Sequence, residues 1–128
     1  MRISELAKAS KVSVKTIRYY EQIALLPLPA RDKNGYRVYT QDDVNTVIFI
    51  RRCRELNISV KNIKRIVGIR KQPTASCAEV DNIIQAQLQK IQQTQKELAL
   101  LADSLQVLVQ SCSNKQVKDC KILHHLNA

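Results

Sequence analysis

Ser13-Val14-Lys15-Thr16-Ile17-Arg18-Tyr19-Tyr20-Glu21, followed by Arg31-Asp32-Lys33-Asn34-Gly35-Tyr36-Arg37-Val38-Tyr39, is the stretch that decides the fold. Ser13 offers an N-cap to a helix running to Gln22, on which Val14 and Ile17 face inward while Lys15, Arg18 and Tyr19 project outward. Upstream, Ile3, Leu6 and Ala7 recur at helical spacing and Ser10-Lys11-Val12 breaks the pattern, so two short helices meet across a tight turn. That is a helix-turn-helix, although its turn lacks the usual glycine. Downstream, Pro27 and Pro29 stop any helix, and Asn34-Gly35 between extended pieces is the strongest short-range hairpin signal, which makes Arg31 to Thr40 a wing.

A helix with outward Lys15, Arg18 and Tyr19 suits the major groove, where Arg bonds bidentately to guanine and Tyr reaches phosphate. Beside it the wing sets a basic residue between two aromatics, suited to gripping the sugar-phosphate backbone. The DNA-contact set read from this stretch is therefore Lys15, Arg18 and Tyr19 on the helix and Arg31, Tyr36, Arg37 and Tyr39 on the wing. Charge agrees: 21 Lys and Arg stand against 11 Asp and Glu, a formal net charge of +10 that favours a polyanion. Basic residues crowd Lys8 to Arg70 and thin out from Val80 to Asp119, which assigns the polyanion to the first half. No apolar run is long enough to span a bilayer, and Met1-Arg2-Ile3-Ser4-Glu5 lacks the apolar core of a signal peptide, so a cytoplasmic protein without a membrane partner is expected.

Two further helices fit Asp42 to Glu55 and Val60 to Gly68, the second capped by Ser59 and closed by Gly68. After Pro73 the pattern changes. From Val80 to Val109 there is neither Gly nor Pro, and Ile84, Ile91, Leu98, Leu101, Leu105 and Leu108, with Gln87 and Thr94 as polar interruptions, follow alternating steps of three and four. Such a heptad seam has nothing in its own chain to pack against and should pair with a second copy. The expected architecture is mostly α: a winged helix-turn-helix DNA-binding domain over residues 1–72, a dimerisation helix over 73–110 and a C-terminal metal-binding loop with a terminal turn over 111–128.

The 128 residues include four cysteines, Cys53, Cys77, Cys112 and Cys120. In the cytosol these stay reduced, so structural thiols or metal ligands are expected rather than disulfides. Cys53 falls on an apolar helix face and reads as a core thiol. Cys77 and Cys112 flank the long helix and, at the α-helical rise, sit about 45–50 Å apart within one chain. If two such helices pair antiparallel, Cys77 of one subunit meets Cys112 and Cys120 of the other, and three thiols converge at each end of the dimer. Thiolates select soft or borderline ions such as Cd(II), Pb(II), Hg(II), Zn(II) and Cu(I). His124 and His125 read either as solvent-facing residues or as auxiliary metal contacts. An enzyme is not indicated, since paired carboxylates, a Ser/His/Asp set and a phosphate-binding Gly-rich loop are missing and only two glycines occur.

Ile3-Ser4-Glu5-Leu6-Ala7, Thr16-Ile17-Arg18-Tyr19-Tyr20-Glu21, Leu26 and Asn34-Gly35-Tyr36-Arg37-Val38-Tyr39 resemble the MerR family of regulators. The resemblance implies a homodimer, held by an antiparallel coiled coil, on a palindromic promoter whose spacer is too long for RNA polymerase. The effector-bound dimer then bends and underwinds that spacer so that polymerase engages both promoter elements, a use of DNA deformability. It also bears on the metal. Branches sensing divalent ions carry cysteine where this chain has Cys77, and the copper and silver branch typically has serine there. The zinc branch adds a second cysteine beside the first loop cysteine and a loop histidine, where this chain has Ser111 and Ser113 around Cys112 and no histidine before Cys120. Cys77, Cys112 and Cys120 thus imply Cd(II) or Pb(II) as effector, with Zn(II) and Hg(II) as further candidates. The spacing of the loop cysteines resembles the copper branch, which keeps a Cu(I)/Ag(I) sensor as the alternative, beside a thiol redox switch on the same fold.

Overall fold

The computed structural model describes residues 1–111 and 116–127. In chain order it holds α1 (Ile3–Ser10), α2 (Val14–Gln22), β1 (Ala30–Arg31), β2 (Arg37–Val38), α3 (Gln41–Glu55), α4 (Val60–Arg70), α5 (Ala78–Ser111), a 3-10 turn (Val117–Asp119) and α6 (Lys121–Asn127). The two strands pair antiparallel with Ala30 opposite Val38 and Arg31 opposite Arg37.

Local chemistry explains most of these boundaries. Ser13 Oγ accepts a hydrogen bond from the Thr16 N–H at 3.1 Å and starts α2. Thr40 and Asp43 form a reciprocal capping box at the start of α3, and Ser59 Oγ accepts from the Asn62 N–H at 3.2 Å at the start of α4. The turn between α1 and α2 manages without glycine because Lys11 itself enters the left-handed region, φ 60°, and its N–H closes on Ala7 O. Gly68 does not close α4. Its φ is not positive and the helix continues to Arg70, whose guanidinium sits 4.9 Å from the Phe49 ring centroid and whose Nη1 is 3.5 Å from Thr46 Oγ1. Those contacts fasten the turn beyond Gly68 to α3.

The core is built by Leu6 of α1, Ile17 and Tyr20 of α2, Val44, Val47, Ile50 and Cys53 of α3, and Ile63, Ile66 and Val67 of α4, with Leu25, Leu26, Tyr39 and Ile58 from the connections. Cys53 is the expected core thiol, and burial pushes its pKa up. Arg51 of α3 donates from Nη1 to Ser10 O at 2.9 Å, which satisfies a carbonyl at the end of α1.

The first compact unit runs from Met1 to Ile84, beyond the boundary expected at residue 72. Ile83 packs on the core and Arg65 of α4 pairs with Glu79, so the first turns of α5 belong to that unit. From Gln85 onward the chain forms a second unit. No residue of α5 is buried, and Ile84, Ile91, Leu98, Leu101 and Leu105 are all exposed in the single chain. Among the described residues, no helix is long and apolar enough to cross a membrane.

Candidate nucleic-acid interface and cysteine positions

The register of α2 separates its two faces. Ile17 and Tyr20 are buried while Lys15, Arg18 and Tyr19 are exposed, as the helical spacing requires. Next to this face stands the wing, whose loop is tied by Asp32. Its Oδ1 accepts from the N–H groups of Asn34 at 2.9 Å and Tyr36 at 3.0 Å, and its Oδ2 pairs with Arg2 Nη1 at 3.1 Å. Desolvation would raise the Asp32 pKa, but the two backbone N–H donors and the Arg2 guanidinium outweigh it and hold the carboxyl below its usual range. Gly35 takes φ 81°, which the loop needs and a side chain would resist, and Arg31 Nη1 donates to Gly35 O at 2.7 Å.

Between α1, α2 and the wing lies a concavity of about 280 Å³ lined by Arg2, Ile3, Arg18, Arg31, Gly35, Tyr36 and Arg37. Four guanidinium side chains line one hollow, an arrangement that repels cations and suits the phosphates of a polyanion. Arg18, Arg31, Tyr36 and Arg37 of the expected contact set are thus brought together, with Lys15 and Tyr19 exposed on the same helix.

Tyr39 departs from the expectation. Only 2% of it is exposed, and its hydroxyl, expected to reach a phosphate, donates instead to Glu21 Oε1. Val38 stays in the wing, paired with Ala30 and exposed, whereas Tyr39, one residue past β2, joins the core. Burial first, and then the hydrogen bond and charge of Glu21, push the Tyr39 pKa up to about 12.

Two residues that the sequence reading passed over belong to this region. Arg2 lines the concavity, stacks 4.5 Å from the Tyr36 ring centroid and pairs with Asp32. Nothing in the sequence flagged it, because it precedes the first helical pattern. Glu21 could have been found: it lies four residues after Ile17 and beside Tyr20, on the inward face of α2.

The thiols are less gathered. Cys77 is exposed one residue before α5, where its carbonyl accepts from the Asp81 N–H at 3.0 Å. Cys120 is half-buried between the 3-10 turn and α6, and Cys112 lies outside the described residues. Cys53, Cys77 and Cys120 are free thiols, and among the described residues no three His, Cys, Asp or Glu side chains stand where they could share an ion. Cys77 and Cys120 are donors whose chemistry fits a soft ion. His124 Nε2 is 2.9 Å from Lys118 O, a carbonyl to which a protonated Nε2 donates, and His125 is exposed.

Comparison with known proteins places this geometry. Residues 1–68 match the model of the MerR HTH family regulatory proteins, and residues 44–108 match the model described as MerR, DNA binding. An uncharacterized HTH-type transcriptional regulator of Pseudomonas aeruginosa is 36% identical over 126 residues, covering 98% of this chain and 96% of that protein. The crystal structure of the transcription regulator PbrR691 from Ralstonia metallidurans CH34 in complex with lead(II) superposes with a TM-score of 0.90 at 35% identity, over 98% of each chain. MerR of Bacillus megaterium MB1 in complex with mercury(II) gives a TM-score of 0.75 at 30% identity over 100% of each chain. The chain belongs to the MerR family of helix-turn-helix regulatory proteins.

Proposed function

We propose that this chain is a metal-responsive transcription regulator that binds promoter DNA as a homodimer. The observation that carries the DNA half is the concavity in which Arg2, Arg18, Arg31 and Arg37 converge beside the exposed Lys15, Arg18 and Tyr19 of α2. Arg18 belongs to both surfaces, so the residue set to read a base edge is also next to the phosphate grip, as in a helix-turn-helix whose backbone contacts fix the register of its reading helix. Dimerisation would be through α5, whose exposed apolar side chains recur at heptad spacing.

The effector is a thiophilic divalent ion, Cd(II) or Pb(II) before Zn(II) or Hg(II), with Cys77 of one subunit and Cys112 and Cys120 of the other as its donors. Three thiolates supply negative charge to neutralise a divalent ion and prefer soft ions to Mg(II) or Ca(II). The similarity to a regulator solved with lead(II) and to one solved with mercury(II) supports a soft divalent ion. Binding across two subunits would bias the relative placement of two DNA-binding domains, and hence the distortion of the promoter that lets RNA polymerase engage it.

The test is anaerobic titration of the reduced protein and of Cys77→Ser with Cd(II), Pb(II), Zn(II), Hg(II) and Cu(I), following the thiolate-to-metal ultraviolet band. Binding of Cd(II) or Pb(II) at one per subunit, lost in the variant, is the expected result. Equal Cu(I) binding by both proteins with weak divalent binding replaces it with a copper sensor. DNA binding that responds to oxidant and not to any ion replaces it with a redox switch.

A further inference from the structure

Glu21 is the only charged residue in the buried class among the described residues, and its side chain is 2% exposed. Its neighbours on the inward face of α2 are Ile17 and Tyr20, so packing alone gives no reason for a carboxylate there. Burying one is costly, and an apolar side chain of the same volume would hold a core at least as well. The carboxylate spans two elements. Oε1 accepts the hydroxyl hydrogen bond of Tyr39, and Oε2 lies 3.4 Å from Nη1 of Arg37. Arg37 and Tyr39 are two residues apart, the spacing that puts extended residues on one side of the chain, so both prongs leave the wing in the same direction.

We infer that Glu21 is a positioning residue for DNA binding, a buried carboxylate on the recognition helix that clamps the wing through Arg37 and Tyr39 and thereby aims Arg37 into the arginine-lined concavity. The inference rests on the DNA-binding reading above and deepens it. A wing of two two-residue strands cannot hold its own orientation, since an isolated hairpin is marginal in water. Arg37, which both touches Glu21 and lines the concavity, is the residue through which orientation becomes contact. Tyr39, with its pKa pushed up to about 12, keeps its proton at physiological pH and remains a donor to the clamp.

Simple electrostatics predicts the opposite sign, which makes the inference testable. A carboxylate 3.4 Å from a DNA-facing guanidinium opposes DNA binding, so its neutralisation alone would strengthen binding. The clamp predicts weakening. The probe is a fluorescent duplex recovered by the wild-type dimer from a randomised palindrome library, titrated at several salt concentrations. For Glu21→Gln we expect affinity to fall roughly tenfold, the loss of one charge-assisted contact, and the slope of log K against log salt to fall by about one per protomer. Adding Glu21→Gln to Arg37→Gln should then weaken binding no further than Arg37→Gln alone. Unchanged or higher affinity of a folded Glu21→Gln protein, with the wild-type slope, overturns the inference. Where Glu21→Gln melts below the assay temperature by circular dichroism, Tyr39→Phe decides instead. It keeps the carboxylate and removes one prong, so a smaller loss in the same direction is expected, and wild-type affinity overturns the clamp. Failure of the wild-type protein to select any duplex overturns the DNA-binding reading itself, an outcome distinct from a failed clamp.

Discussion

Replacing Leu98 by alanine separates the heptad seam of α5 from its other apolar positions. In the single chain Leu98 is 58% exposed, while Leu100 is 68% exposed and Val107 58% exposed. Exposure therefore does not say which face would meet a second copy; in the proposed dimer the alternating three-four spacing assigns Leu98 to the interface and leaves Leu100 and Val107 outside it. Burying a whole Leu side chain stabilises by about 1.5–3 kcal/mol, so burying the fraction that Leu98 leaves exposed contributes about 1–2 kcal/mol per copy. A symmetric dimer carries the substitution twice. Allowing for the methyl that alanine keeps, Leu98→Ala should cost about 2–3 kcal/mol of association, raising the dimer Kd by roughly 30- to 150-fold. Sedimentation equilibrium over a range of concentrations measures this, with Leu100→Ala and Val107→Ala within a fewfold of wild type. Dimerisation that survives Leu98→Ala and is lost in Val107→Ala would refute the heptad assignment and move the interface to another face of the helix.

Arg2→Ala should weaken binding to every duplex by a similar factor and lower the salt slope by about one per protomer, because Arg2 lines the hollow proposed to take phosphate and does not lie on α2; fluorescence anisotropy at several salt concentrations checks it. Ser13→Ala removes the oxygen that caps α2 and should cost about 1 kcal/mol of stability, read from urea unfolding; an unchanged midpoint would mean that the turn, not the cap, starts the helix. Tyr39 gives a pH prediction. Its folded pKa of about 12 lies above the ordinary 10, so the folded state holds the proton more tightly and the associated stability is present below pH 10 and lost as pH rises toward 12. Urea midpoints at pH 9 and pH 11 should therefore fall further for wild type than for Tyr39→Phe.

Most of the helical framework could be read from the sequence because it is local. Ser13 and Ser59 are caps, Ile17 and Tyr20 repeat at helical spacing, and each of these signals lies within a few residues of its effect. The misreadings came where a distant partner decides. Gly68 looked like a helix stop, yet Arg70 reaches Phe49 and Thr46 on α3 and carries the helix past it. Tyr39 looked like Tyr36 because both flank Arg37, and only Glu21 and the backbone of Met1, which exchanges hydrogen bonds of 2.8 Å with Tyr39 in both directions, turn it inward. Arg2 acquired its place through Asp32 and Tyr36, some thirty residues away. For the thiols the reason is different. Among the described residues no three ligating side chains gather, and the shared site proposed for Cys77 and Cys120 requires a second chain.

These long-range contacts share a character that bears on how the DNA face is held. The helices are packed by Leu6, Ile17, Val47, Ile50 and Ile63, all fully buried, and that packing is not weakened by ionic screening. The wing has almost no apolar anchor besides the Tyr39 ring. It is held by Arg2 on Asp32, by Arg2 over Tyr36, by Arg37 on Glu21 and by the hydrogen bonds that Met1 and Tyr39 exchange. Of these, the Arg2–Asp32 pair is open to solvent at both ends, whereas the clamp has its Glu21 carboxylate buried and only its Arg37 end open to solvent, so it is screened less. In the proposed DNA complex, rising salt would therefore act by two routes, weakening the phosphate contacts directly and loosening the loop end of the wing, while the Glu21 clamp holds the β2 end to α2. Arg37, held by the buried clamp, should keep its contact at salt concentrations where Arg2 and Arg31 have lost theirs, so Arg37→Gln should cost a larger fraction of the remaining affinity at high salt than at low.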